Sequence, residues 1–188
     1  MAKFDHFDFI SPLYDLIFGR RIDQEIVAYA DVQIGDSLLD VGGGTGRVSV
    51  LFRDKIQNVL VIDASIKMLR EAQAKGLTTV NSNSERLPFA DGTFERIIIV
   101  DALHHVENQS KTLREMWRIL KKGGKMIVEE PDINNFVVKL IALGEKILLM
   151  RSHFIAPDKI AVMSRFDENV VIDIKRDKGI AWVVIHKN

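Results

Sequence analysis

The sequence predicts an α/β protein, one open and mostly parallel β-sheet with helices on both faces. Three observations predict it. Short runs rich in β-branched residues recur along the chain, with helical segments between them. Such alternation builds a parallel sheet, because parallel neighbours need a crossover between them. The runs are nearly continuous in apolar character, Ile97-Ile98-Ile99-Val100 above all, as strands covered on both faces are. The first run ends on a glycine cluster, Gly42-Gly43-Gly44-Thr45-Gly46, where a helix should begin.

Each element follows in order. Residues 9–18 and 21–31 read as helices, with Asp23 a cap for the second. Ser37 to Val41 is a short buried strand, and Arg47 to Lys55 reads as a helix. Asn58 to Asp63 is a second buried strand. Ser65 can cap a helix running to about Lys75, and Gly76 suits its C-terminal end. Thr78 to Asn81 is a weak third strand, Leu87 to Gly92 a loop with turn chemistry, and Phe94 to Asp101 a fourth strand. Residues 109–121 read as a helix closed by Lys121-Lys122 and Gly123-Gly124, since positive charge and glycine favour a helix C-terminus. Lys125 to Glu129 is the fifth strand. Residues 134–151 read as a long helix with a broad apolar surface, and Pro157 to about Arg165 as a short one. Val170 to Lys175 and Ile180 to His186 read as two strands, joined by Arg176-Asp177-Lys178-Gly179 into an antiparallel hairpin.

The bulk numbers bound the answer. The 188 residues fit one domain, with helices at 1–35, a ligand-binding core at 36–131, a helical cap at 132–167 and a terminal hairpin at 168–188. An apolar fraction of 47% and a charged fraction of 28% are those of an ordinary globular chain. Net charge is zero and no basic, aromatic-rich appendage is present, so no nucleic-acid partner is expected. There are no cysteines, which excludes disulfides, thiolate metal sites and cysteine nucleophiles. The segment Phe136 to Met150 is interrupted by Lys139, Glu145 and Lys146 and is too short for a membrane span. The N-terminus is too polar for a secretory signal, so a cytoplasmic protein is expected.

The glycine spacing narrows the ligand. A dinucleotide fingerprint needs a third glycine where Arg47 or Ser49 stands, and no Gly-Lys-Ser/Thr occurs for a P-loop. What stands is Gly42-x-Gly44-x-Gly46 preceded by Asp40. A carboxylate there would repel a pyrophosphate but can pair, directly or through water, with the ammonium of an amino-acid moiety. It can equally cap local backbone at the strand end. Asp63 closes the second strand, where an acid can accept from both ribose hydroxyls, or can cap the helix that starts at Ser65.

The stretch from about residue 36 to 130 resembles the class I S-adenosylmethionine (SAM)-dependent methyltransferases. Asp40 to Gly46 matches their first motif, D-x-G-x-G-x-G, with Gly43 at a position that is often cysteine, a change expected to be harmless. Asp63 matches their ribose-binding acid. Ser84-Glu85-Arg86-Leu87-Pro88-Phe89 resembles the segment after their third strand, with Asn83 standing where the family carries an aspartate for the adenine amine. An asparagine carbonyl can accept from that amine too. Asp101-Ala102-Leu103-His104-His105-Val106 resembles the fourth motif, and Leu113 to Gly124 the helix and double-glycine turn before the fifth strand. The resemblance implies a Rossmann-like, doubly wound, seven-stranded sheet of order 3-2-1-4-5-7-6 with strand 7 antiparallel. It implies SAM as methyl donor and S-adenosylhomocysteine as product. It further implies a cofactor site of Tyr14, Asp40, Gly42, Gly43, Gly44, Thr45, Gly46, Asp63, Ala64, Met68, Asn83, Ser84, Glu85, Asp101 and Ala102.

Methyl transfer from a sulfonium needs orientation, water exclusion and sometimes a base. His104 and His105 follow the fourth strand and are the candidate catalytic bases, with a structural role for both as the alternative. Neighbours in sequence seldom point at one ion and no third ligand is evident, so no metal site is expected. Tyr14, after Phe7 to Leu13, resembles the N-terminal helix of the ubiquinone/menaquinone C-methyltransferase branch, where a tyrosine helps close the SAM site. The same helix also reads as an amphipathic cover for the core. Phe136, Val137, Leu140, Ile141, Ile147, Leu148 and Met150 leave three readings open: a lipophilic acceptor pocket, a homodimer interface, or more core. The expected function is methyl transfer to a small molecule. The alternatives are a protein or RNA methyltransferase, an inactive SAM-binding regulatory subunit, and a NAD-linked oxidoreductase that the glycine spacing disfavours.

Overall fold

The structure, a computed structural model, describes residues 24–136, 138, 139, 153–168 and 170–188. Seven strands form one sheet: β1 Ser37–Val41, β2 Asn58–Asp63, β3 Thr78–Asn81, β4 Phe94–Val100, β5 Leu120–Pro131, β6 Val171–Asp177 and β7 Ile180–His186. Their order is β3-β2-β1-β4-β5-β7-β6, with β7 antiparallel to both β5 and β6, as the family resemblance implies.

Side chains alternate along each strand and so feed two cores. On β4, Ile97 and Ile99 enter one core and Ile98 the other, all three buried. The Ile98 face is covered by α1 (24–30, the described part of the second predicted helix), α2 Val50–Arg53 and α3 Ile66–Ala74. The opposite face is covered by α4 Gln109–Ile119 and α5 Pro157–Met163 through Leu113, Met116, Ile119 and Ile160. Each such side chain, fully buried, contributes roughly 1.5–3 kcal/mol. Ser65 does cap α3, accepting from Met68 N–H at 3.4 Å. The end of α1 is clamped to the sheet by the buried Arg96, which donates to the carbonyls of Ala30 (2.8 Å) and Asp31 (3.1 Å).

Three elements differ from expectation. The helix expected over residues 47–55 is regular only over Val50–Arg53; the residues before it form turns, and Ser49, helical in its backbone, gives its hydroxyl to Asp40. Helix α4 stops at Ile119, short of the predicted Lys121. Leu120 is already extended, pairs with Phe94 and is fully buried. Arg118 lies in the last turn, and a second positive charge comes from far along the chain: Lys187 Nζ donates to the carbonyls of Trp117 (2.7 Å) and Leu120 (2.8 Å). Gly123-Gly124 are therefore not a helix cap. They lie in an irregular stretch of β5 between the pairs Phe94–Leu120 and Arg96–Lys125, and hydrogen-bond the backbone of Lys187. The hairpin is tighter than the four-residue link predicted. Asp177 pairs with Ile180, and Lys178 (φ 46°) with Gly179 (φ 89°) makes a two-residue turn with both central φ positive, the geometry that suits twisted strands.

The predicted helix at 9–18 with Tyr14, and most of the predicted helix at 134–151 with Arg151, lie outside the described residues. Of that second helix, residues 136, 138 and 139 are helical, with Phe136 exposed and Val138 buried. Among the described residues no helix is long and apolar enough to cross a membrane, and no group of three or more histidine, aspartate or glutamate side chains is placed to hold a metal ion.

Candidate functional site

The carboxyl ends of β1 to β4 stop along one edge, and the turns beyond them enclose a cleft of about 540 Å³. β2 and β4 flank β1 on opposite sides, so the cleft sits where the strand order reverses, the place where open α/β sheets bind ligands. Gly42 reaches it from β1, Asp63, Ala64 and Met68 from β2 and the helix after it, Asn83, Ser84 and Glu85 from the loop after β3, and Asp101, Ala102 and His105 from the turn after β4. Asp40, Gly46 and His104 are buried behind this wall, and Gly43, Gly44 and Thr45, partly exposed, are not among the residues that line it.

Asp63 ties two of these segments together. Its Oδ2 accepts from Gly44 N–H at 3.0 Å and its Oδ1 from Ser65 N–H at 2.7 Å. Asp63 therefore holds the backbone at the start of α3 and also lines the cleft. A carboxylate can accept about four hydrogen bonds, so capacity remains on each oxygen for vicinal hydroxyls.

Asp40 lies beneath the glycine loop, 1% exposed. Its Oδ2 accepts from Ser49 Oγ at 2.7 Å, and its Oδ1 has no hydrogen-bond partner among the described residues. A Cβ at Gly43 would stand 2.5 Å from its Cγ. Glycine at 43 is thus not an indifferent change in this chain, because it lets the carboxylate lie against the loop backbone. Burial pushes the Asp40 carboxyl up to about 6, against the Ser49 hydrogen bond and the charge of Arg47, with Asp63 adding to the rise. The folded state favours the neutral acid, so this group's contribution to stability is full below the unfolded value near 3.8 and is lost as pH rises through about 6. The gap is worth roughly 3 kcal/mol. Asp40→Asn should recover up to that amount at pH 8 and nothing near pH 3.5, read by urea unfolding of the protein without ligand.

Asn83 Oδ1 accepts from Glu85 N–H at 2.7 Å, which leaves one carbonyl lone pair for a ligand amine. Ser84 turns its hydroxyl to Thr112 at 3.3 Å, and Glu85 Oε1 accepts from Asn108 N–H at 2.8 Å. Asp101 holds φ at 54°, a left-handed conformation uncommon outside glycine and concentrated at functional sites.

The two histidines part company. His105 lines the cleft, and burial, then the neighbouring His104, lowers its imidazole to about 3, so it is neutral at physiological pH. His104 is 5% exposed, its ring stacked on Phe154 at 4.4 Å with Nδ1 against the Glu130 carboxylate.

Charge is what most distinguishes the cleft. Four carboxylates line it, those of Asp63, Glu85, Asp101 and Glu107, and no described lysine or arginine does. Such a wall repels phosphate and suits a ligand carrying positive charge. An orphaned carboxylate oxygen on Asp40, behind the loop, points the same way. Sequence reasoning missed Ile62 and Ile99, the apolar floor, and Ser65, Ser82, Val106 and Glu107. Ile62 and Ile99 are each one place short of a strand end and were findable by that position; Glu107 carries no local signal.

Residues 39–128 match a family model described as a methyltransferase domain. The ubiquinone/menaquinone biosynthesis C-methyltransferase UbiE of Xanthomonas campestris is 34% identical over 136 residues, 66% of this chain and 54% of that protein. The demethylmenaquinone methyltransferase of Thermobifida fusca is 33% identical over 133 residues, 67% of this chain and 56% of that protein. The chain spans about half the length of the curated relatives it matches. Among solved structures, a SAM-dependent methyltransferase of Thermotoga maritima superposes with a TM-score of 0.77 at 21% identity, covering 97% of each chain, a likeness of fold.

Proposed function

The chain belongs to the class I SAM-dependent methyltransferase family, and from that premise we propose that it transfers the methyl group of SAM to a small-molecule acceptor. The observation that carries the reading is the cleft at the reversal of strand order, lined by four carboxylates and no described cation. SAM brings a sulfonium, an ammonium and one carboxylate, a net positive charge that this wall attracts, whereas the pyrophosphate of NAD meets repulsion.

When bound, SAM supplies an activated methyl group for in-line displacement. The chain's own groups hold and orient. Asp63 receives the ribose hydroxyls, Asn83 the adenine amine, and the glycine loop where it meets the cleft at Gly42 the amino-acid end, with Asp40 balancing the ammonium from behind. Ala102 and His105 border the space left for the acceptor, and His105, the histidine on the cleft wall, is the group placed to take its proton.

The acceptor contacts are assigned to the cap, residues 132–167. Its described part touches the histidine turn: His153 N–H donates to the His104 carbonyl at 2.7 Å, and Phe154 stacks on the His104 ring. Relatives are named for ubiquinone/menaquinone biosynthesis and for demethylmenaquinone, so a hydroquinone of that kind is the first acceptor to assay. Calorimetry with SAM, S-adenosylhomocysteine and NAD tests the cofactor. Micromolar-range binding of the first two and none of NAD is expected. A folded protein that binds neither SAM nor S-adenosylhomocysteine would falsify the reading.

A further inference from the structure

Glu129 and Glu130 stand side by side at the carboxyl end of β5 and point to opposite faces. Glu129 accepts from Trp182 Nε1 at 2.6 Å in the core beneath α1. Glu130 enters the other core, 3% exposed, and meets the turn Leu103–His105 that follows β4. Both its oxygens are engaged there. Oε1 accepts from Leu103 N–H at 2.7 Å, and Oε2 pairs with His104 Nδ1. The His104 ring then lies between Phe154 (4.4 Å between centroids) and His105 (3.8 Å).

A buried carboxylate is unfavourable unless it is paired and fully hydrogen-bonded, and apolar packing could hold a three-residue turn without it. Here the acid and the imidazole grip the backbone and the side chain of consecutive residues. The next residue is the one that faces the cleft. His104 is buried against Glu130 and Phe154, and of the two histidines it is His105 that lines the cleft.

On the methyl-transfer reading above, we infer that Glu130 is a positioning residue, which through His104 holds the Leu103–His105 turn so that the His105 ring receives the acceptor's proton. That proton leaves the nucleophilic atom as it gains the methyl group and lands on a His105 ring-nitrogen lone pair. It passes to solvent as product departs. Charge balances, since the positive charge lost at sulfur reappears on the imidazolium. The groups that bear on His105 are His104 in its own turn, Glu130 from β5, Asp101 and Glu107 flanking the turn, Asp63 and Glu85 elsewhere on the cleft wall, and His153 from the cap. Burial and His104 keep the ring neutral while the cleft is empty and lower its proton affinity, so a proton taken from the acceptor is passed on and not kept.

The test needs no acceptor. Protein labelled with ¹³C at histidine Cε1 contains five labelled rings, and His105→Gln identifies the His105 resonance. In the wild-type protein that resonance should be single, flat from about pH 5 to 8, and shifted by S-adenosylhomocysteine. In Glu130→Gln it should broaden or split and begin to titrate in that window, with S-adenosylhomocysteine affinity kept within about threefold. His104→Asn, which keeps an N–H near the place of Nδ1, should retain the single resonance, and His104→Leu should not. The His104 pair decides the matter should Glu130→Gln fail to fold. A wild-type His105 resonance in both Glu130→Gln and His104→Leu overturns the inference. Absence of S-adenosylhomocysteine binding to the wild-type protein would instead overturn the methyl-transfer reading, while the resonances of the unliganded variants still decide the role of Glu130.

Discussion

Replacing Asp63 with alanine is expected to weaken S-adenosylhomocysteine binding by about 100-fold or more, while the protein stays folded. Two hydrogen bonds from ribose hydroxyls to a carboxylate are worth about 1.5–3 kcal/mol each, and every 1.4 kcal/mol is about tenfold in affinity. The loss extends beyond the ligand contacts. The carboxylate also accepts from Gly44 N–H and Ser65 N–H, so alanine frees the glycine loop from α3 at the moment the ligand needs both in place. The fold tolerates the change because Asp63 is partly exposed at the sheet edge and water can replace it at both N–H groups. Asp63→Asn separates charge from shape: one oxygen survives and the other becomes a donor, so an intermediate loss is expected. Titration calorimetry with both variants reads this directly. Affinity within about threefold of wild type in Asp63→Ala would remove the ribose role.

That residue was legible because its signals are local. A buried run ends on an acid, a glycine cluster lies a strand and a short helix upstream, and position along a strand implies position along the sheet edge. The seven strands were legible for the same reason, since period and composition are properties of short windows. What escaped are groups whose partners are distant in the chain. Lys187 caps α4 from 70 residues beyond Trp117, and Glu130 grips His104 across 26. No window contains either pair. Lys121-Lys122-Gly123-Gly124 is the instructive failure. Its chemistry suits a helix end, but Leu120 is buried and extended, and tertiary pairing with Phe94 overrides the local preference. The two histidines were visible as a pair, but which of them faces the cleft depends on Glu130 and Phe154, and those arrive from β5 and the cap.

Gly46→Ala is expected to destabilise the fold by roughly 2–5 kcal/mol, from overpacking and left-handed backbone strain together. Gly46 holds φ at 72°, where a Cβ is disfavoured. A Cβ there would also overlap Leu77 Cδ1 and stand 3.3 Å from Ala72 Cβ. Leu77 and Ala72 are both buried, so neither can swing into solvent. The third glycine of the loop therefore serves the packing of α3 and its exit turn against the loop, and its side of the backbone faces the core, not the cleft. Ligand affinity and stability should separate accordingly. Urea unfolding should show the full loss in Gly46→Ala, while whatever fraction remains folded binds S-adenosylhomocysteine less weakened than Asp63→Ala does. Leu77→Ala makes room for the new methyl, so the double variant Gly46→Ala/Leu77→Ala should lose less than the sum of its parts by about 1 kcal/mol or more. Strict additivity would mean that backbone strain alone keeps residue 46 a glycine.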